Sequence, residues 1–207
     1  MTSTDAWYAL PVLRGQLIRL EPLAVEHAPG YFAAAGTGDD AEEVFRWINV
    51  QHGAPATVDD AEQYILDGLA SRARGYRFPY AQIDAVTGEF AGTTSYYDIN
   101  PALRTVSIGH TWLGKRWWRT GHNTESKLLM LTHAFDTLGA ARVVWHTDIF
   151  NTRSQAAIER LGATKEGVLR KHRIRRDGSW RDTVQYSMTE DDWSEVYERL
   201  TKRLAAG

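Results

Sequence analysis

The sequence predicts a mixed α/β (α+β) fold, a mostly antiparallel central sheet of about seven strands flanked by helices. Three observations carry this expectation. Two pairs of strand-like runs are joined by short turns at Thr87-Gly88 and Asp177-Gly178, as in antiparallel hairpins. Between them, Thr105–Leu161 reads strand, helix, strand, helix, the order that sets adjacent strands parallel with right-handed crossovers. A last amphipathic helix, Trp193–Leu204, closes the chain.

Composition sets the bounds. The 207 residues, 43% hydrophobic and 24% charged, suit one globular domain spanning 1–207 with a short N-terminal arm, 1–12. A formal net charge of −2 gives no global reason to bind nucleic acid or an anionic membrane, so any anion site is local. With no cysteine, disulfides, thiolate metal sites and cysteine nucleophiles are excluded. Met1–Leu10 lacks the basic start and apolar run of a secretory signal, and no apolar stretch approaches about 18 residues, so a cytoplasmic protein is expected.

Gln16–Glu21 alternates and meets Pro22, giving a first strand. Val25–Ala35 is an alanine-rich helix whose start is delayed by Pro29 and Gly30. Asp39–Trp47 is a short helix, and Val58–Arg74 a longer one with Thr57 or Asp59 near its start and Ala61, Ile65 and Leu69 on one face. Phe78–Ile83 and Glu89–Tyr97 form the first hairpin. In Thr105–Leu113, alternation places Val106, Ile108, His110 and Trp112 on one face and Ser107, Gly109, Thr111 and Leu113 on the other, with Gly109 a candidate bulge. A helix entered near Asn123 carries Leu128, Leu131, Phe135 and Leu138 and stops at Gly139. Ala141–Thr147 is a β-branched strand, Asn151–Leu161 a helix closed by Gly162, and Glu166–Arg175 and Arg181–Met188 the final hairpin.

The stretch WLGKRWWRTGHNTESK, Trp112–Lys127, joins a strand to a helix through a loop bearing Gly114, Lys115, Arg116, Arg119 and Gly121. Such a turn exposes backbone N–H groups, and the helix N-terminus adds about half a positive charge, so a phosphate or pyrophosphate is its natural guest. No Gly-Lys-Ser/Thr follows, which argues against a P-loop.

LRGQLIRLEPL, SIGHTWL, RTGHNTESKLLMLTHAF, NTRSQAAIERLGA and EGVLR together resemble the GNAT superfamily of acetyl-CoA-dependent N-acetyltransferases, in the branch of the ribosomal-protein N-terminal (Rim-type) enzymes. The resemblance implies a sheet splayed at the acetyl-CoA site. It implies a Gln/Arg-x-x-Gly-x-Gly/Ala loop whose N–H groups hold the coenzyme pyrophosphate. With Gly121 central, Trp118 takes the first position and Asn123 the last, both departures from the pattern. Asn123 tolerates left-handed backbone angles and can cap a helix. Arg119, Thr120, Gly121, His122, Asn123 and Thr124 thereby become cofactor-binding candidates, and Trp112 and Leu113 join them through the strand, with a backbone N–H near Leu113 facing the thioester oxygen. The resemblance also implies that Asn151 bonds pantetheine and that Ser154 approaches the sulfur as general acid. The same pair read without the family is a helix N-cap with a serine at N3.

Acetyl transfer to an amine needs the amine deprotonated. The glutamate that some Rim-type members carry for this falls near Arg173 here. His110 and His172 remain as bases, with Asp98 or an ordered water as alternatives. Tyr96, Tyr97, Trp112, His172 and Tyr186 are candidates for the acceptor cleft, aromatic core being the competing reading for Trp112. The run Arg170–Arg176 is either a solvated hairpin or a row facing an acidic acceptor or RNA. His27, His52, His122, His133 and His146 show no zinc-binding spacing, so no metal is implied. The chain thus reads as an N-acetyltransferase moving acetyl from acetyl-CoA to a primary amine, on a small molecule or a protein N-terminus, by direct attack. The alternative is a catalytically weak acyl-CoA-binding sensor or partner protein. A homodimer is the default assembly.

Overall fold

A computed structural model describes residues 3–48 and 53–206. His52 lies outside them. The elements run α1 (Thr4–Tyr8), β1 (Leu13–Arg14), β2 (Ile18–Pro22), α2 (Ala28–Ala35), α3 (Gly38–Phe45), α4 (Val58–Ala73), β3 (Arg77–Asp84), β4 (Phe90–Asn100) and β5 (Thr105–Leu113). They continue with α5 (His122–Thr132), β6 (Arg142–Asp148), α6 (Thr152–Leu161), β7 (Thr164–Ile174), β8 (Trp180–Thr189) and α7 (Glu190–Ala205). The strands form one 8-stranded sheet in the order β1-β2-β3-β4-β5-β6-β8-β7. Every neighbouring pair is antiparallel except β5–β6. The strand beyond the expected seven is two-residue β1, too short to show a period.

Local chemistry explains most boundaries. Thr57 caps α4 by accepting from the Asp60 N–H at 3.1 Å, while Asp60 accepts from the Thr57 N–H at 2.9 Å, a reciprocal capping box. Pro29 sits in the first turn of α2, where a missing N–H costs nothing, and Val25–His27 forms a 3-10 turn before it. Asn151 caps α6 and Gly162, at φ +98°, ends it in the left-handed conformation. α5 has no side-chain cap and runs on into a π-helical turn, His133–Thr137.

Two cores lie on opposite faces of the sheet. One packs α5, α6 and α7 on Ile18, Leu20, Tyr96, Val106, Ile108, Val143 and Val184. The other packs α2, α3 and α4 on Ala81, Ile83, Phe90 and Trp112 and takes no buried residue from β6, β7 or β8. On that second face the β6–β8 end is therefore left to line a cleft.

Candidate active site

The parallel pairing of β5 with β6 is confined to Thr105↔Arg142, Val106↔Val143 and Ser107↔Val144. β6 continues on β8 to Asp148, while β5 bulges and turns away. Four residues of β5, Gly109 to Trp112, oppose three of β4, Thr93 to Ser95, and His110 takes the extra place at φ +49°. The bulge reverses the expected alternation. Val106 and Ile108 belong to the first core, but beyond the bulge Leu113 joins that core and Trp112 turns to the second. The strands consequently part after Ser107 and Val144 and leave a wedge. Gly114 donates its N–H to Ala91 on β4 at 2.9 Å, so by alternation the N–H of Leu113 turns the other way, into the wedge.

The loop after β5 closes the wide end of this wedge. Trp118 donates its indole N–H to the Leu113 carbonyl at 2.7 Å, and the Arg153 guanidinium, from the first turn of α6, lies 3.7 Å from the Trp118 ring centroid. The positive φ of the loop falls on Arg119, at +60°, not on Asn123. Asn123 is a regular residue in the first turn of α5, whose N-cap position is Gly121 at φ −68°, so the expected left-handed or capping role of Asn123 is corrected. Gly121 has an ordinary dihedral and packs closely: a Cβ there would sit 2.5 Å from Leu17 Cδ1, a side-chain end that would have to shift. Glu125 N–H already makes a helical bond to Gly121 O, which leaves the N–H groups of Asn123 and Thr124 without a side-chain cap. These uncapped donors, the exposed Arg119 beside them and the wedge leading inward suit an extended ligand with a pyrophosphate.

The opposite side of the wedge is aromatic and basic. The Tyr97 ring crosses β5 over Gly109, where a Cβ would come 2.8 Å from Tyr97 Cε1, and its hydroxyl lies 3.0 Å from His146 Nδ1 on β6. The His110 ring meets Tyr97 edge-on at 5.4 Å, and the His172 and His146 rings are 5.6 Å apart. His110 is reached by water through the cleft yet walled by protein around it. That burial, then Arg77, Arg173 and Arg181, hold its imidazole below its ordinary value. Burial, then Arg173, lowers His172 as well. Further along, a cavity of about 370 Å³ is lined by Arg46, Trp47, Phe150, Arg175, Arg176 and Arg181, together with Asp148 and Asp177. Arg175 grips Asp148 with two bonds of 2.7 and 3.0 Å and Arg181 lies 3.9 Å from the same carboxylate, so the four arginines outnumber the two carboxylates, Asp148 and Asp177. A larger cavity of about 580 Å³ between α2 and the β3–β4 turn takes no residue from β6 or α6, and its Lys115 and Arg116 are paired with Asp40 and Glu89.

Comparison with known proteins gives this geometry a family. The GNAT acetyltransferase domain matches residues 18–164. This chain is a GNAT acetyltransferase. A GCN5-related N-acetyltransferase from Brucella melitensis is 30% identical, with a TM-score of 0.88 over 95% of this chain and 86% of that one. The uncharacterized N-acetyltransferase YoaA of Bacillus subtilis is 26% identical over 185 residues, 86% of this chain and 96% of YoaA. The Rim-type branch is represented by Mycobacterium smegmatis RimJ in complex with CoA-disulfide, alike in fold at 21% identity, TM-score 0.77 and 96% coverage of each chain. GNAT enzymes use acetyl-CoA as co-substrate, and the wedge, the uncapped α5 and Asn151 at the head of α6 fit that molecule.

Not every predicted residue reaches the GNAT wedge. Tyr96 is buried in the first core and donates to Met130 O at 2.5 Å. Tyr186 is buried behind α6 and donates to Glu159 at 2.8 Å. Trp112 packs on Tyr31 and Phe45 at 4.8 and 5.0 Å, so the core reading wins for all three and they do not line the acceptor cleft. His122 turns inward, 3.0 Å from Asp84 and 2.9 Å from Thr120. Thr120 also donates to Trp117 O at 2.7 Å, bracing the loop. Asn151 accepts from Ser154 N–H at 3.0 Å, the cap geometry, which holds both at the head of α6, just beyond the end of β6. Arg170, Lys171 and Arg173 are exposed on β7, and Lys171 sits at φ +48° in a second bulge.

Sequence reasoning missed a polar cluster beneath α5. Glu125 accepts from the N–H groups of Gln16, Leu17 and Ile18 at 2.9, 2.7 and 2.8 Å. Ser126 donates to Gln82 Oε1 at 2.6 Å, and Gln82 Nε2 donates to the carbonyls of Thr93 and Trp112. Lys127, buried, donates to Thr94 and Thr111 at 2.7 and 2.9 Å, and burial brings its amine down to about 7. Burial alone raises the Asp84 carboxyl, but the Thr87 and Val86 N–H groups, the Trp117 indole and His122 outweigh it and hold it well below the carboxylate range. The available signal was TESK, four polar residues directly inside a helix start, with no apolar stripe among them. Among the described residues no cluster of three or more His, Asp or Glu side chains could hold a metal, and no helix is long and apolar enough to cross a membrane.

Proposed function

We propose that this chain is a cytosolic N-acetyltransferase that moves an acetyl group from acetyl-CoA to a primary amine by direct attack, and that its acceptor carries an anionic group close to that amine. The observation that carries the reading is the wedge between β5 and β6, with the uncapped start of α5 beyond the end of β5 and the arginine-rich cavity at the end of β6. Arg119 and the N–H groups at the head of α5 take the pyrophosphate, Asn151 the pantetheine, and the Leu113 N–H the thioester oxygen, where charge develops during attack. Ser154, at the first turn of α6, donates to the departing thiolate. A carboxylate or phosphate on the acceptor meets Arg46 and Arg176, with Arg181, already beside Asp148 at 3.9 Å, adding its charge. The amine is a metabolite's or the α-amine of a peptide with an acidic start.

The test is free-thiol release from acetyl-CoA with a panel of neutral amines, amino acids and dipeptides, aspartyl-alanine among them. Release that depends on the amine and favours acidic acceptors fits the proposal. Stabilisation by acetyl-CoA with no amine-dependent release fits a sensor instead. Ser154→Ala with undiminished turnover removes the acid assignment.

A further inference from the structure

We propose that Tyr97 and His146 form the proton-accepting pair of the active site, with the Tyr97 oxygen taking the acceptor amine's proton while the tyrosine passes its own to His146 Nδ1. This rests on the acetyltransferase reading for its substrate but not for its geometry.

The direction of the chain is fixed from its far end. Arg142 clasps Glu166 through two guanidinium nitrogens, and the Ser187 hydroxyl donates to Glu166 at 2.8 Å. The Arg142 contact, reinforced by Gln185 and Ser187, holds the Glu166 carboxyl at about 2, so it is an anion that only accepts. Gln185 must therefore turn its amide N–H toward Glu166, at 2.9 Å. Its oxygen then faces His146 Nε2 at 3.0 Å, and Nε2 must carry the hydrogen. His146 Nδ1 is left with a lone pair, and the Tyr97 hydroxyl 3.0 Å away donates to it. With its hydrogen given to His146, the phenolic oxygen is left as an acceptor, the Ser107 side chain beside it.

Position agrees with this polarity. Tyr97 and His146 meet across β5 just beyond Ser107↔Val144, the last pair before the strands part. Gly109 gives the ring its passage. Burial, then Asp98, pushes the Tyr97 hydroxyl up to about 12 against the pull of Ser107, Arg173 and Arg181, which disfavours a free phenolate and favours concerted transfer. The other titratable rings facing the pair are His110 on β5, 5.4 Å from Tyr97, and His172 on β7, 5.6 Å from His146; Arg77 on β3 is turned to Ser95. In balance, the ammonium loses one proton to Tyr97, His146 becomes an imidazolium held by Gln185, and the neutral amine attacks the thioester carbon as the C–S bond breaks and the thiolate is protonated. His146 then returns its proton to water in the cleft.

Two measurements decide it. Long-range 15N–1H correlation spectra of the histidine rings, with His146 assigned through His146→Asn, should show the Nε2–H tautomer; an Nδ1–H tautomer reverses the chain and overturns the proposal whether or not any amine is acetylated. With acetyl-CoA and aspartyl-alanine, Tyr97→Phe and His146→Asn should each lower kcat by about 10²-fold or more at neutral pH with the acetyl-CoA KM unchanged. The Tyr97→Phe deficit should shrink toward alkaline pH, where more acceptor arrives already deprotonated. Activity within twofold of wild type in both variants, or a deficit that pH does not move in correctly folded Tyr97→Phe, assigns the pair a structural role only. Thiol release by the wild-type chain judges the acetyltransferase reading separately.

Discussion

The two helices that flank the wedge begin in opposite ways. α6 starts with Asn151 on the Ser154 N–H, ends at a left-handed Gly162 and buries little of its first turn. α5 starts with no side-chain cap, buries Thr124, Glu125, Ser126 and Lys127, and ends in a π turn. The difference separates a helix stabilised by its own sequence from one held by its surroundings. α5 leaves the N–H groups of Asn123 and Thr124 uncapped, while its carboxylate, hydroxyl and amine bond β2, β3, β4, β5 and the turn before β2. A ligand can then complete the helix, and the cluster beneath keeps the donors in place while it does so.

The strongest way to break the contrast is Glu125→Ala, which strips three backbone N–H groups of one carboxylate. A loss of about 3 kcal/mol or more is expected, a melting temperature lower by roughly 10 °C, and Glu125→Gln should recover part of it. A shift within about 2 °C would show that water replaces the carboxylate. Next is Ser126→Ala, which leaves Gln82 Oε1 without its donor and should cost about 1–2 kcal/mol by chemical denaturation. On the other helix, Asn151→Ala should cost only about 1 kcal/mol while weakening acetyl-CoA binding by calorimetry; equal affinity would leave Asn151 a cap and nothing more.

Lys127→Met sharpens the comparison with the least effect at neutral pH. The buried amine titrates at about 7 in the fold and near 10.4 unfolded. Between those values the unfolded chain binds more protons, so wild-type stability should rise with pH from about 7 toward 10. The variant should lack that rise, because methionine carries no titrating amine, and it should still fold, since Thr94 and Thr111 bond each other at 2.8 Å. Parallel melting curves from pH 6 to 10 check this, and an unchanged slope contradicts it.

The same contrast explains what the sequence made legible. Hairpin turns, Asn151, Gly162, the capping Thr57 and Thr105–Leu113 are local signals, and the structure reproduces them within a few residues. The bulge at His110 is different, because one inserted residue reverses every face that follows and only the register against β4 reveals it. Alternation therefore put His110 and Trp112 together, although Trp112 belongs to an aromatic core with Tyr31, Phe45 and Phe90. The polar cluster under α5 escaped for a related reason: Glu125 answers to N–H groups more than 100 positions away in sequence. Tyr97 was visible as a cleft residue, but its partner His146 was seen only as one of several unassigned histidines.

The central claim is that the wedge brings an acetyl thioester to an amine. Free-thiol release from acetyl-CoA, followed as aspartyl-alanine is titrated in and compared with ethylamine, tests it most directly. Saturable, amine-dependent release is expected, with one acetylated amine for each thiol and clear preference for the acidic dipeptide. Release no faster than without amine, from a chain that acetyl-CoA nevertheless stabilises, would contradict it.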